Sequence, residues 1–460
     1  MLLLTIRKEI VHNILSFRFL ATYALLFCLV LLAVFLMAQD YQGRLQEATT
    51  EEARIRESVA EIDRIDDPNK QFQEFQRFNQ QGVRRPRPLS ILARGLDGVL
   101  PMQISSGRWW NQSSDDRLGR NMLLEIFRAP DLVYIINIVL SLLALLFVFD
   151  AVCGEKERGT LKILLANSVP RDTVLLAKWI GGYVSVAAPF AVASLGGFAY
   201  VSLSGAVTVD TEVVHRALLI FGVSLLYISA FFTLGLMIST FTHRSSTALL
   251  VSLLVWICWI LVVPNVAPIV ARLAAPVPDR RVIDAEKQAI DRESRLLHEA
   301  ISKRKVYGDQ AEGERIQKEA KERQDKLEEF FRDRMERQVS WAKNLARVSP
   351  SASYVLASTR LAGTGTDLFD HFEKGLEQYQ RDQQEVMREI YQGGVEWTRQ
   401  GPEVKNPDWF SPDMLPRFSM FTESVDESLD SALSDILLLV IYNVLFFMLA
   451  FVRFLRYDIT

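Results

Sequence analysis

Residues 153–179 read CGEKERGTLKILLANSVPRDTVLLAKW. This stretch joins two long apolar runs. It carries Lys156, Arg158, Lys162, Arg171 and Lys178 against only Glu155, Glu157 and Asp172. A short loop this basic between two membrane crossings is expected on the cytoplasmic side. Leu161, Ile163, Leu164 and Leu165 give it an apolar centre, and Ser168-Val169-Pro170 reads as a turn. The expectation is a helix pressed against the inner face of a membrane, with a charged tip.

Working outward, six runs contain no charged side chain: 19–38, 132–149, 179–207, 217–242, 245–271 and 436–452. Each is long enough to cross a bilayer core. Buried helices of soluble proteins rarely run so far without a charge. The chain has 460 residues, 23% charged and 49% hydrophobic, with a formal net charge of -3. Net charge therefore says little about partners; segregation of charge decides the class. The first run is too long for a signal-peptide core, and Met37-Ala38-Gln39 makes a poor cleavage site.

Six crossings place both termini on one side. Arg7, Lys8 and Arg18 begin the chain, His243 and Arg244 join the fourth and fifth runs, and Arg453 and Arg456 end it. These short segments and 153–178 all fall on the same side, and all are basic, which makes that side cytoplasmic. The fold class expected is an all-α membrane protein. An interfacial helix at 1–18 precedes spans at 19–38, 132–152, 179–207, 217–242, 245–271 and 436–452. A cytoplasmic segment lies at 153–178 and a tail at 453–460. Insertions at 39–131 and 273–435 build a helical extracytoplasmic domain. Ile6, Ile10, Val11, Ile14 and Leu15 share one helical face, so the first residues are expected to lie flat on the inner leaflet.

The first insertion opens with a helical pattern to about Arg77. Arg84-Arg85-Pro86-Arg87-Pro88 then reads as an extended, solvated connector. Trp109 and Trp110 suit the outer headgroup level. In the second insertion, Ile283, Ile290 and Leu297 form a heptad-like seam. Gly308 and Gly313 are expected to end that helix. A second helix should run over 314–348 and complete an antiparallel hairpin, and a third should run from Asp367 to about Trp397. Pro264, Pro268, Pro276 and Pro278 are expected to break the outer end of the fifth span, leaving a short re-entrant or interfacial piece. Gly181-Gly182, Gly196-Gly197, Gly222 and Gly235 allow close helix approach.

No GxxxxGK[ST] loop, HExxH pair or GxSxG elbow occurs in the chain. Its five histidines make no metal spacing, and Cys28, Cys153 and Cys258 lie in or beside spans. No enzyme, metal or resident cofactor is expected. The charge-free runs also argue against an ion-relay pump.

The run Glu155-Lys156-Glu157-Arg158-Gly159-Thr160-Leu161, followed by Leu164-Leu165, Pro170-Arg171 and Lys178, resembles the coupling segment of ABC-2 type permeases. The Arg7-Lys8-Glu9 helix is similar to their connecting helix. The large insertions depart from compact members and resemble a subset with extracytoplasmic helical domains. The resemblance implies a transmembrane permease subunit, an exporter of a bacterial cytoplasmic (inner) membrane, paired with a second permease copy or paralogue. ATP would be bound by a separate ATPase subunit gripping residues 155–161. No nucleic acid is implied; membrane lipid and an extracytoplasmic partner protein are. The alternative it leaves open is a mechanotransmission complex, whose outer helices act on an external partner without transport.

Overall fold

The computed structural model describes residues 2–78, 81–105, 131–162, 170–304, 309–393, 395–398, 401–406 and 409–457. Trp109, Trp110, Leu164, Leu165 and Gly308 lie outside these residues. Among the described residues six helices are long and apolar enough to cross a membrane. The protein is an all-α, multi-pass membrane protein.

Helix α1 (Leu2–Ile14) is separate from α2 (Phe17–Asp63) and not an early extension of it. Ser16 leaves the helical conformation at ψ 141°, and its Oγ accepts the Phe19 N–H at 3.2 Å, an N-cap that restarts the chain. The first span and the start of the insertion are then one unbroken helix. Asp67 caps α3 (Pro68–Arg77), with proline at its first position. The second span, α4, runs through Leu132–Ile135, a π-turn at Ile136–Leu140 and Ser141–Val148, and the fifth, α7 (Ser245–Ala274), contains a π-turn at Cys258–Val262. A π-turn frees backbone carbonyls. In α4 the Asn137 carbonyl is taken by Tyr227 Oη at 2.8 Å. Tyr227 belongs to the fourth span, α6 (Thr211–Phe241), which follows α5 (Arg171–Ser204) and forms the centre of the bundle. Pro264 and Pro268 do not break α7: Pro264 follows the π-turn directly and Val263–Ala274 stays helical, so the helix ends only at Ala275, just before Pro276 and Pro278.

The second insertion begins with the expected hairpin, α8 (Arg280–Arg304) and α9 (Asp309–Ala346). Glu328 accepts from Arg280 Nη1 at 2.6 Å and from Lys287, clamping the two helices. Gly313 does not end a helix. It lies inside α9, where a side chain would meet His298. The larger departure follows. Helix α10 (Pro350–Leu361) is buried along almost its whole length. Ser349 Oγ donates to the Trp259 carbonyl at 2.7 Å, near the middle of the fifth span. Tyr442 Oη donates to the Arg347 carbonyl at 2.8 Å, near the middle of the sixth span, α12 (Val425–Leu455). Helix α11 (Asp367–Gly393) lies between α10 and α12 in the chain. At the far end of α10, Arg216 Nη1 reaches the Leu361 carbonyl at 3.0 Å, close to the start of α6. Thus α9 descends among the spans and α10 returns. Ala271, Ala342 and Leu356 meet, as do Ala267, Ala346 and Ala352, so small residues let the backbones approach. The hairpin turn that packs against the middles of the fifth and sixth spans comes from 342–361, within the second insertion.

Two short antiparallel ribbons, β1 (Gln81–Val83) with β2 (Gln103–Ser105) and β3 (Val395–Thr398) with β4 (Gly401–Val404), complete the insertions. Phe72 and Phe75 of the first insertion pack on Ile390, Trp409 and Phe410 of the second, so both build one domain. The arginine-proline stretch is not a solvated connector. Arg84 is buried and binds Asp97 Oδ1 at 2.6 Å, Arg85 pairs with Glu52, and Arg87 Nη2 donates to the Phe421 carbonyl. Asp97, wholly buried, also takes Arg44 at 2.6 Å. A buried carboxylate needs such partners, which draws Arg84 and Arg44 inward, while Arg85 stays exposed.

Candidate functional site

At the end of the bundle opposite the insertions, the 153–162 segment ties together parts from almost every span. Cys153–Glu157 is a short helix. Gly159 follows at φ +72°, a left-handed conformation that ends helices and favours glycine. Past this turn Thr160 and Lys162 are exposed, while Leu161 is fully buried and anchors the segment. Arg158 is also exposed, with its Nε on the Gly154 carbonyl.

The neighbouring charges turn inward. Lys178 Nζ, in α5, binds Glu155 Oε1 at 2.7 Å and Glu9 Oε1 at 3.3 Å. Its side chain is only 5% exposed, so water does little to screen the two contacts. One buried ammonium thereby joins α1, the 153–157 helix and the third span. Gly181, one turn further along α5, lets α1 lie against it: a Cβ there would meet Glu9 Cβ at 2.8 Å. Gly182 faces the other way and admits the Phe232 ring of α6. The expected close approach holds at Gly181, Gly182, Gly197 and Gly235, whereas Gly222 has open space around it.

Lys156 and Glu157 bind helix ends. Lys156 Nζ donates to the carbonyls of Thr240 at 2.5 Å and Thr242 at 3.1 Å, at the C-terminus of α6. A cation there satisfies open carbonyls and complements the helix dipole. Glu157 Oε2 accepts from Ser245 N at 3.0 Å and Ser245 Oγ at 2.8 Å. Helix α7 has no cap from its own Arg244, so this borrowed carboxylate serves as its cap. Arg171 Nη1 donates to the carbonyls of Leu455 and Tyr457, both at 2.8 Å, fixing the end of α12. Arg7 and Lys8 of α1 are exposed, unlike Glu9.

The sequence names Glu155, Lys156, Glu157, Arg158, Gly159, Thr160 and Leu161 together with Arg7, Lys8 and Glu9. The structure brings Glu9 and Glu155 to one cation and leaves Arg158, Thr160 and Lys162 outward. It adds Lys178 as the hub, with Ser245, Thr240 and Thr242 as acceptors or donors. The signal for Lys178 is its position, one residue before an apolar run that no other charge enters.

A second charged cluster lies at the insertion end. Asp435, fully buried in α12, accepts from Arg347 Nε at 2.6 Å and Arg360 Nη1 at 3.2 Å. It locks both arms of the 342–361 hairpin to the sixth span. Among the described residues no group of three or more His, Cys, Asp or Glu could hold a metal ion.

A family profile described as ABC-2 family transporter protein matches residues 3–459. No curated protein matches the chain.

Proposed function

Since this chain belongs to the ABC-2 family of transporter proteins, we propose that it is the permease that turns ATP hydrolysis by a separate subunit into movement of a substrate out of the cytoplasm. The Glu9–Lys178–Glu155 junction is the observation that carries this reading. A force on the exposed tip at Arg158, Thr160 and Lys162 would pass through Glu155 to Lys178, and so into α1 and the third span together. Lys156 and Glu157 would deliver the same displacement to the fourth and fifth spans. Contact and transmission therefore fall to different residues. The tip offers charge for steering and register; the buried junction offers rigidity.

Copurification with the ATPase subunit and substrate-stimulated hydrolysis, measured on the same membranes, test this. Reversing the tip with R158E and K162E is expected to lose the ATPase. Lys178→Met is expected to keep it bound while uncoupling hydrolysis from substrate. Retention of full coupling by both variants would reject the reading.

A mechanotransmission reading draws on a different feature. Helix α2 has 47 residues and runs without a break from the membrane into the insertion domain. Motion in the bundle would be delivered directly to that domain, to act on an external partner.

A further inference from the structure

Toward the insertion end, between the third and fourth spans, lies a cavity of about 350 Å³. Phe190 and Leu195 of α5, Leu218 and Phe221 of α6, and Val34 of α2 form its walls. Leu195 and Leu218 are also 68% and 60% exposed, so the cavity opens sideways, toward the lipid that surrounds a membrane protein. Its size suits a small-molecule or single-chain ligand.

A second cavity, of about 220 Å³, shares Pro88, Leu89 and Val213 with the first. Its lining is mixed, with the polar and charged groups Arg87, Arg216, Arg360, His371 and Glu423 among apolar ones, and it is the more polar of the two. Arg216 pairs with Glu212, and Arg360 with Asp367 and Asp435. Arg87 is different. It forms no ion pair among the described residues, and its Nη2 has the Phe421 carbonyl at 2.8 Å. Burial holds its guanidinium below ordinary basicity, an effect that Asp97 only partly opposes. Depth orders the two chambers. The two meet at Val213, and the apolar one continues along α6 to Ser224, two helical turns past Arg216, or about 12 Å at 1.5 Å per residue. In a membrane the charged chamber would lie nearer the headgroups, and the apolar one would reach on to acyl-chain level.

We propose that the two chambers are one binding site for a membrane phospholipid from the leaflet on the insertion side, with an acyl chain between the third and fourth spans and the phosphate on Arg87. Lateral opening, apolar lining and depth identify the chain. Arg87, which has no ion pair among the described residues, identifies the phosphate, which its planar fork of donors binds well. The site needs this chain alone, so it stands or falls apart from the coupling proposed above.

The test uses the full chain in nanodiscs with a phospholipid carrying a photoreactive group near its acyl terminus, and a diacylglycerol carrying the same chain. Labelling by the phospholipid is expected to concentrate on residues 190–201 and 213–224. Ala191→Trp, which fills the cavity, should abolish it, as should Ser194→Phe, so that one misfolded variant does not decide the result. Leu250→Trp, on an exposed part of the fifth span, should leave it intact. Arg87→Gln should weaken phospholipid labelling by about tenfold, the factor a lost charged hydrogen bond produces, and leave diacylglycerol labelling unchanged. Labelling spread evenly over the spans and indifferent to both filling variants would overturn the site. Equal labelling by both probes in the unmodified protein would overturn the phosphate assignment.

Discussion

Asp131 is a single carboxyl on which the start of the second span depends. Its Oδ1 accepts the Tyr134 N–H and its Oδ2 the Arg94 N–H, both at 2.7 Å. Burial pushes its pKa up from 3.8 to about 7, more than those backbone bonds pull it down. The folded chain therefore keeps a proton that the unfolded chain releases. Stability from this group is full below pH 3.8 and is lost as pH rises toward about 7. The loss is of the order of 2–4 kcal/mol. Thermal melting of the purified chain is expected to fall between about pH 4 and about pH 7. Asp131→Asn, which can still accept one N–H, should flatten that slope; an unchanged slope would place the titration elsewhere. In the sequence Asp131 is only the last polar residue before an apolar run. Its burial depends on Leu92 and Arg94, some forty residues away, and no local pattern reports that. Lys178 is legible in the same limited way: its place at the edge of a span shows, but its two carboxylate partners do not.

At the scale of elements, the six spans are plain from composition because a bilayer demands long apolar helices. The α8–α9 hairpin is plain too, from its seam of apolar residues. Helix α10 is not. Its sequence, PSASYVLASTRL, is too short to span a membrane and too polar to be read as buried. Its small side chains let it pack closely among the spans; Thr359 Oγ1 finds the Val355 carbonyl at 2.8 Å, whereas the buried Ser351, Ser353 and Ser358 hydroxyls meet no hydrogen-bond partner among the described residues. Tyr354 adds a stack on Tyr227 with ring centroids 4.3 Å apart, a pairing only the fold reveals. Glycine positions separate in the same way. A Cβ on Gly182 would meet the Phe232 ring at 2.5 Å, whereas one on Gly222 meets nothing within 4 Å. Gly182→Ala is expected to destabilise by about 1–3 kcal/mol through overpacking. Gly222→Ala should stabilise by about 0.5–1 kcal/mol through helix propensity. Chemical or thermal unfolding of the two variants side by side checks this, and equal shifts would show that the Phe232 contact is soft.

The whole molecule is tied at both ends and crossed by one rod. The basic end gathers five spans and α1 through Lys156, Glu157, Arg171 and Lys178. The insertion end gathers the fourth and sixth spans and the 342–361 hairpin through Arg216, Arg347 and Arg360. Helix α2 links the bundle to the insertion domain over 47 residues, about 70 Å at 1.5 Å per residue. A straight helix transmits displacement only while its hydrogen-bond ladder is intact. Gly43 lies on this rod with no neighbour within 4 Å of its Cβ position, so a substitution there acts on the helix and not on packing. Proline at 43 would remove one ladder bond and kink the helix, at a cost of about 3 kcal/mol. On the mechanotransmission reading, Gly43→Pro is expected to leave hydrolysis by the proposed ATPase subunit in place while abolishing the activity delivered at the insertion domain. Gly43→Ala, which stiffens the same position, should retain both. If Gly43→Pro kept the external activity, the rod would serve only as an anchor, and motion would have to reach the insertion domain through the Asp435-linked hairpin instead.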